Sequence, residues 1–97
     1  EQIAYIKTSE IDSRDKDIIL NDGTTIVLKN LNFKNLLEML PANDFAQVNK
    51  KEIIALASIK VFSTNEIITT IATEDHNFLK LQIGEAYKNA LLELYTK

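Results

Sequence analysis

The sequence predicts a mostly β fold made of antiparallel sheets with two short helices. Three observations carry this prediction: short β-branched and apolar runs recur along the chain, Asp22-Gly23 separates two of them, and two longer segments have helical spacing. The helices are expected at about 33–40 and 85–95. A chain of 97 residues, 45% of them apolar, has the size of one small domain, here expected to span 1–97.

The first half of the chain predicts a strand, a polar loop and a hairpin. "QIAYIK" at 2–7 alternates in a way that would place Ile3 and Tyr5 on one side of a strand. The polar stretch "TSEIDSRDKD" favours neither regular element and is predicted to be a loop running into the next strand. Strands near 16–20 and 25–29 then flank Asn-Asp-Gly, whose glycine supplies the positive φ that tight hairpin turns require.

Two segments have apolar residues at helical spacing. In "LNFKNLLEMLP", the apolar residues at i, i+3, i+4 and i+7 form one stripe, with Asn32 as the expected N-cap and Pro41 as the stop. In "GEAYKNALLELY", one face of a closing helix would carry Tyr87, Ala90, Leu91 and Leu94. Between the two helices, strands are expected at 45–48, 53–56, 59–62, 66–73 and 78–83.

Catalytic and cofactor-binding patterns are absent from the sequence, so an enzyme is not expected and no cofactor is implied. There is no cysteine, no Walker loop, no Gly-x-Gly-x-x-Gly and no nucleophile elbow. The single histidine, His76, lies in a polar turn, where a solvated residue is a better interpretation than a general base. Metal binding by Glu74, Asp75 and His76 is less well supported than simple solvation.

The acidic stretch near residues 12–17 does not predict a cation site. It lacks the Asp-x-Asp-x-Asp-Gly register of a calcium loop, and Arg14 and Lys16 are interleaved with its carboxylates. A solvated face of internally paired charges is the preferred interpretation.

The expected compartment is the cytoplasm. No apolar run approaches the roughly 20 residues that span a bilayer, so no membrane partner is expected, and the lack of cysteine fits a reducing compartment. Because the chain begins with Glu1 rather than Met, we expect a fragment of a longer protein.

The tetrad Asn49-Lys50-Lys51-Glu52 separates two apolar runs in "DFAQVNKKEIIALASIKVF". Four polar residues between strands belong outside the core, and paired lysines in turns usually face solvent only. Loops on a rigid scaffold also carry function, so a contact surface is the alternative interpretation. With a net charge of −3, any surface for nucleic acid would have to be a local basic patch.

Four segments in order give the chain a resemblance to a known family. "IAYIKT", "IILNDGTTIVLKNLNFKNLLEMLP", "DFAQVNKKEIIALASIKVF" and "LQIGEAYKNALLELY" together resemble the LytTR family, the DNA-binding output domain of bacterial LytR/AlgR-class response regulators. The resemblance implies an elongated fold of stacked antiparallel sheets. It also implies a transcription regulator of a two-component phosphorelay, with a receiver domain preceding this one as its partner in cis.

The resemblance further implies double-stranded DNA as the partner, read with loops in successive major grooves. Two copies usually bind direct repeats. Family contacts come from the loop after the first strand, a His-Arg-Ser signature, and the segment before the last helix. By position these correspond to Arg14 (with Ser13), to Asn49, Lys50 and Lys51, and to the Gly84–Ala86 segment with Lys88.

Chemistry suggests a role for each implied contact. Asn49 could pair with adenine N6/N7, Lys50 could donate to guanine O6/N7 or to phosphate, and Lys51 and Lys88 suit phosphates. The chain departs from the family by having Asn-Lys-Lys for His-Arg-Ser, and Glu85-Ala86 where many members have arginine. These departures and the acidic composition leave an alternative open: the same fold with weakened DNA reading, acting as a protein–protein interaction module.

Overall fold

The computed structural model of the chain describes residues 2–96. In this part of the chain, eight strands and two helices follow in the order β1 (Ile3–Thr8), β2 (Lys16–Leu20), β3 (Thr25–Leu28), α1 (Phe33–Met39), β4 (Phe45–Asn49), β5 (Glu52–Ala55), β6 (Ile59–Phe62), β7 (Glu66–Ala72), β8 (Phe78–Gln82) and α2 (Lys88–Tyr95). Short 3₁₀ turns at Leu56–Ser58 and Glu85–Tyr87 precede β6 and α2. The predicted mostly β class with antiparallel sheets and two short helices is confirmed.

The strands form two antiparallel sheets. Five strands are ordered β3-β2-β1-β5-β4, and three are ordered β6-β7-β8. The inner strands of the larger sheet are buried on both faces. In β5, the neighbouring residues Ile53 and Ile54 both have no exposed surface, although their side chains enter different clusters.

Each face of the larger sheet has its own apolar cluster. One cluster joins this sheet to the three-stranded sheet and α2, and its buried members include Val48, Ile54, Ile67, Leu81 and Leu91. The other cluster joins the opposite face to α1, and its buried members include Ile6, Ile18, Phe33, Leu36 and Ile53. The five-stranded sheet is therefore the middle layer between α1 and the smaller sheet.

The start of β1 departs from the predicted alternation. Ala4 and Tyr5 both enter the cluster beneath the three-stranded sheet, whereas Ile3 and Ile6 pack toward α1. The pairing of β1 with β2 shifts register between Ile3 and Tyr5. The prediction that Ile3 and Tyr5 share a side was wrong, because such an irregularity breaks the two-residue period.

Both predicted helices are present, with one difference at the second. The N-cap role of Asn32 is confirmed, since its Oδ1 accepts a hydrogen bond from the Asn35 amide at 2.8 Å. The closing helix was expected from 85, but α2 begins at Lys88 after a tighter turn. That turn is closed by the Tyr87 amide, which donates to the Gly84 carbonyl at 2.9 Å.

The outline of the domain differs from the elongated form that the resemblance implied. Its principal extents are 32, 32 and 23 Å, because the smaller sheet and α1 cover opposite faces of the larger sheet. Neither helix in the described part of the chain is long and apolar enough to cross a membrane.

Candidate functional site

Three separate segments meet around one surface cleft of about 900 Å³. The first is residues 7–10 with Ser13, from the end of β1 and the loop after it. The second is residues 49–52, from the β4–β5 turn and the strand ends beside it. The third is residues 82–87, from the end of β8 and its connection to α2. Backbone hydrogen bonds fasten the segments together. The Thr8 amide donates to the Lys51 carbonyl at 2.9 Å, and the Gly84 amide donates to the Val48 carbonyl at 2.7 Å.

The side chain of Asn49 holds the β4–β5 turn in shape. Its Nδ2 donates to the Glu52 carboxylate at 2.8 Å and to the Gln82 carbonyl at 2.7 Å. Its Oδ1 accepts from the Lys51 amide at 2.8 Å. Asn49 thus ties its own turn to the end of β8, and both amide hydrogens and the amide oxygen are in use.

A buried hydroxyl extends this network into the core. Tyr5, which is almost fully buried, donates its hydroxyl hydrogen to the Glu52 carboxylate. Burial, and then the neighbouring carboxylate, raise the pKa of Tyr5 well above its ordinary value, so the hydroxyl remains a donor. The chain of contacts from Tyr5 through Glu52 to Asn49 links a central strand to the exposed turn.

Lys50 and Lys51 project from this turn into solvent at the rim of the cleft. Both residues are exposed, and neither ammonium group forms a salt bridge with the described residues. Because the turn backbone is fixed while the two side chains are unpaired, both cations are available to an anionic ligand.

Arg14 lies beside the cleft rather than in its lining. Its guanidinium makes a two-point contact with Asp12, with Nε 3.1 Å from Oδ1 and a terminal nitrogen 2.9 Å from Oδ2. These hydrogen bonds lower the pKa of Asp12 and raise that of Arg14. Arg14 remains exposed, so a phosphate would compete with Asp12 for its guanidinium.

Lys88 is also placed outside the cleft lining. Its Nζ donates to the Asn65 side chain at 2.9 Å and pairs with Glu85 at 3.2 Å. Its side chain lines a neighbouring depression with Phe62 and Leu92. Of the five sequence-predicted contact residues, the structure therefore brings Asn49, Lys50 and Lys51 to the cleft and leaves Arg14 and Lys88 at its flanks.

The charges that line the cleft are balanced. Three lysines and three glutamates contribute to it: Lys7, Lys50, Lys51, Glu10, Glu52 and Glu85. The excess of positive potential that would attract a polyanion is therefore confined to the tip of the β4–β5 turn, where Lys50 and Lys51 are adjacent.

The loop after β1 is internally paired, as the sequence indicated, but it is not fully solvated. Asp15 is nearly buried and accepts hydrogen bonds from the Asn30 amide at 3.0 Å and from Lys29 at 3.2 Å. Lys16 is buried, and its Nζ donates to the Ser13 carbonyl at 2.8 Å. The expectation of a solvated face was wrong for Asp15 and Lys16, because Asp15 ties the loop to the residues just after β3 and Lys16 closes the loop onto its own carbonyls.

No group of three histidine, aspartate or glutamate side chains within residues 2–96 could hold a metal ion. His76 lies in an exposed turn with a φ of 66°, and its amide donates to the Thr73 carbonyl.

Sequence reasoning missed Tyr5 and Gln82 as parts of this site, and it gave Glu52 no role beyond membership of the polar tetrad. Tyr5 reads as an ordinary core residue, and Gln82 contributes only its backbone carbonyl. The pairing of β1 with β5 brings Tyr5 opposite Ile54, and no local pattern in the sequence predicts that register.

Comparison with solved structures identifies the fold. Residues covering 96% of this chain superpose on 80% of a structure described as the LytTr DNA-binding domain of a methyl-accepting/DNA response regulator from Bacillus cereus, with a TM-score of 0.71 and 12% sequence identity. Neither the protein-family models nor the curated protein sequences compared with this chain give a match. The chain therefore has the fold of a LytTR DNA-binding domain.

Proposed function

We propose that this chain is a DNA-binding output domain and that the cleft with its β4–β5 turn is the DNA-facing surface. The observation that carries the proposal is the convergence of three segments on one cleft: the loop after β1, residues 49–52 and residues 82–87. They are the three places from which the family resemblance implies DNA contacts. The similar solved structure, itself described as a DNA-binding domain, supports the same assignment.

Within this proposal, Lys50 and Lys51 supply the contacts made first. Their unpaired ammonium groups suit phosphate oxygens, and Lys50 at the tip of the turn can also donate to guanine O6/N7 in a major groove. Arg14 and Lys88 act from the flanks once DNA displaces Asp12 and Glu85 from them. Asn49 acts by fixing the turn, since reading an adenine would require breaking its three internal hydrogen bonds.

The wider role follows from the same assignment. We propose a cytoplasmic bacterial transcription regulator of a two-component phosphorelay, with a receiver domain in the same protein and a second copy on a direct repeat. With few free cations at the site, one domain should bind modestly, and linking two copies would raise the effective concentration.

The experiment that tests DNA binding measures affinity against salt concentration. Fluorescence anisotropy with a labelled duplex, from about 50 to 200 mM salt, should show affinity falling as salt rises. The double variant Lys50→Ala, Lys51→Ala should bind more weakly and lower the logarithmic salt slope by about two, roughly one for each lost phosphate contact. Lys34→Ala is the matched control, because Lys34 is exposed on α1 at the opposite face of the larger sheet.

An affinity that does not change with salt, or a double variant that equals the wild type, would overturn the proposal. The balanced charges of the cleft favour a second candidate, a protein–protein interaction module. This candidate would be preferred if the wild-type chain failed to bind any duplex from a randomised pool at about 50 mM salt, where phosphate contacts are strongest.

A further inference from the structure

The loop after β1 presents one large apolar side chain almost completely to solvent. Ile11 is 98% exposed, whereas the other exposed large apolar residues of the described chain range from 40% to 66%. A β-branched side chain held this far from other atoms gains nothing from the fold. Isolated surface apolar residues are common, so exposure alone does not assign a role to Ile11.

The second observation is that hydrogen bonds close the loop that holds Ile11. Ser9 accepts a hydrogen bond from the Ile11 amide through its Oγ at 3.1 Å, and its own amide donates to the Asp15 carbonyl at 3.0 Å. The Asp15 amide donates to the Asp12 carbonyl at 2.9 Å, and Arg14 donates two hydrogen bonds to the Asp12 carboxylate from one edge of its guanidinium. The backbone on both sides of Ile11 is thus fixed.

The third observation is the position of this loop at the cleft. Glu10 on one side of Ile11 and Ser13 on the other both line the cleft together with Lys50 and Lys51, while Ile11 itself lies outside the lining and projects into solvent. A duplex held by the two lysines would therefore meet the loop next. Its tip carries an apolar group between the acidic residues Glu10 and Asp12, so it offers no cation to a phosphate, and an apolar group on the DNA is the contact that suits it.

We propose that Ile11 is a specificity-determining residue that reads the 5-methyl group of a thymine in the major groove. This inference rests on the proposed DNA binding. The thymine methyl is the apolar feature of the major-groove edge, and small apolar side chains recognise it by contact. Because hydrogen bonds already hold the loop backbone, forming the contact costs little further conformational entropy. The net contribution of the contact to the binding free energy is therefore close to that of burying the methyl group.

The test uses a duplex recovered from a randomised pool by selection with the wild-type chain. Each thymine of that duplex is replaced in turn by deoxyuridine, which removes only the methyl group. Wild-type affinity should fall about fourfold at one thymine position of each bound half-site, the effect of about one buried methyl. Ile11→Ala should bind more weakly and be insensitive to the same replacement, and Ile11→Val should show a partial loss.

Val27→Ala is the control, since Val27 is also an exposed aliphatic residue but lies on β3. This variant should keep the deoxyuridine response of the wild type. If every single replacement affects wild-type and Ile11→Ala chains equally, thymine reading by Ile11 is overturned while DNA binding stands. If the wild-type chain selects no duplex, the proposed function fails and the inference fails with it.

Discussion

At the scale of single residues, Asn49 shows how a side chain at a binding position can serve the geometry of the site. Pairing with a base edge needs a free donor and a free acceptor. Asn49 has no free donor, because Glu52 and Gln82 accept both of its amide hydrogens, and its oxygen already accepts from the Lys51 amide. Its contribution to DNA binding should therefore come through the conformation of the turn that carries Lys50 and Lys51.

Asn49→Ala is predicted to lower both stability and DNA affinity. Loss of three hydrogen bonds, one of them partly buried and two exposed, should cost about 1–3 kcal/mol of the free energy of unfolding, measured by urea denaturation. DNA affinity should fall because the turn loosens, but the salt slope should stay at the wild-type value, since no charge is removed.

Asn35→Ala serves as the control for this variant, because Asn35 is exposed on α1, away from the cleft. A change of the salt slope in Asn49→Ala would contradict the positioning role. An unchanged affinity would contradict any role of Asn49 in the site.

Asp15 gives a prediction about pH. Its hydrogen bond from the Asn30 amide, followed by the contact with Lys29, lowers the pKa of Asp15 in the folded chain. A lowered pKa contributes stability above the unfolded value of about 4, and this contribution is lost as the pH falls through the folded value. Asp15→Asn should therefore be less stable than the wild type at pH 7, and the gap should narrow below about pH 4.

Urea denaturation of both chains across this pH range measures the gap. Asp44→Asn is the control, because Asp44 is exposed and its side chain makes no hydrogen bond with the described residues. A stability gap between Asp15→Asn and wild type that is the same at pH 3 and pH 7 would show that the charge of Asp15 contributes nothing.

At the scale of secondary-structure elements, the site depends on how closely the β8–α2 connection approaches the end of β4. Gly84 donates its amide hydrogen to the Val48 carbonyl at 2.7 Å. A Cβ at Gly84 would lie 3.0 Å from the Tyr87 ring and 3.4 Å from Asn49. The absence of a side chain at Gly84 therefore lets two of the three cleft segments meet.

Gly84→Ala is predicted to destabilise the domain by about 1–3 kcal/mol, because the added methyl overpacks the contact with Tyr87 and Asn49. Thermal unfolding measures this change. Gly23→Ala is a useful comparison, because backbone strain acts there without overpacking. A Cβ at Gly23 would meet no atom within 4 Å, but the φ of +90° at this position is strained for any L-residue with a side chain. A Gly84→Ala chain as stable as the wild type would show that Tyr87 moves aside without cost.

The sequence predicted the elements well where local chemistry decides them. The hairpin around Gly23, the Asn32 cap and the stop before Pro41 each depend on one residue whose backbone preference is strong. Strand register is decided by packing between distant segments, which is why the irregularity at Ile3 and Tyr5 was not predicted.

The site was predictable only in part. Polar residues between two apolar runs predict that Lys50 and Lys51 are exposed, and they are. Which loops come together depends on the order of strands in the larger sheet, where β1 lies beside β5. Ion pairs also depend on side-chain geometry that the sequence does not show. Arg14 pairs with Asp12 and Lys88 pairs with Glu85, and both cations flank the cleft instead of lining it.

At the scale of the whole molecule, charge limits how the domain would meet DNA under the proposed function. The chain carries a net charge of −3, and the cleft lining is neutral as a whole, so long-range attraction to a duplex is weak. Binding then has to come from short-range contacts made after the cleft segments meet the groove. This arrangement favours discrimination between sequences over general affinity for DNA.

The most direct test of the central claim maps the surface that contacts DNA. Amide chemical shifts would be recorded by NMR while a duplex selected from a randomised pool is titrated into the labelled wild-type chain. If the cleft faces DNA, the largest shifts fall in all three cleft segments, residues 7–13, 49–52 and 82–87, and α1 is unaffected. Shifts concentrated on α1 or on β6–β8, with the β4–β5 turn unchanged, would contradict it.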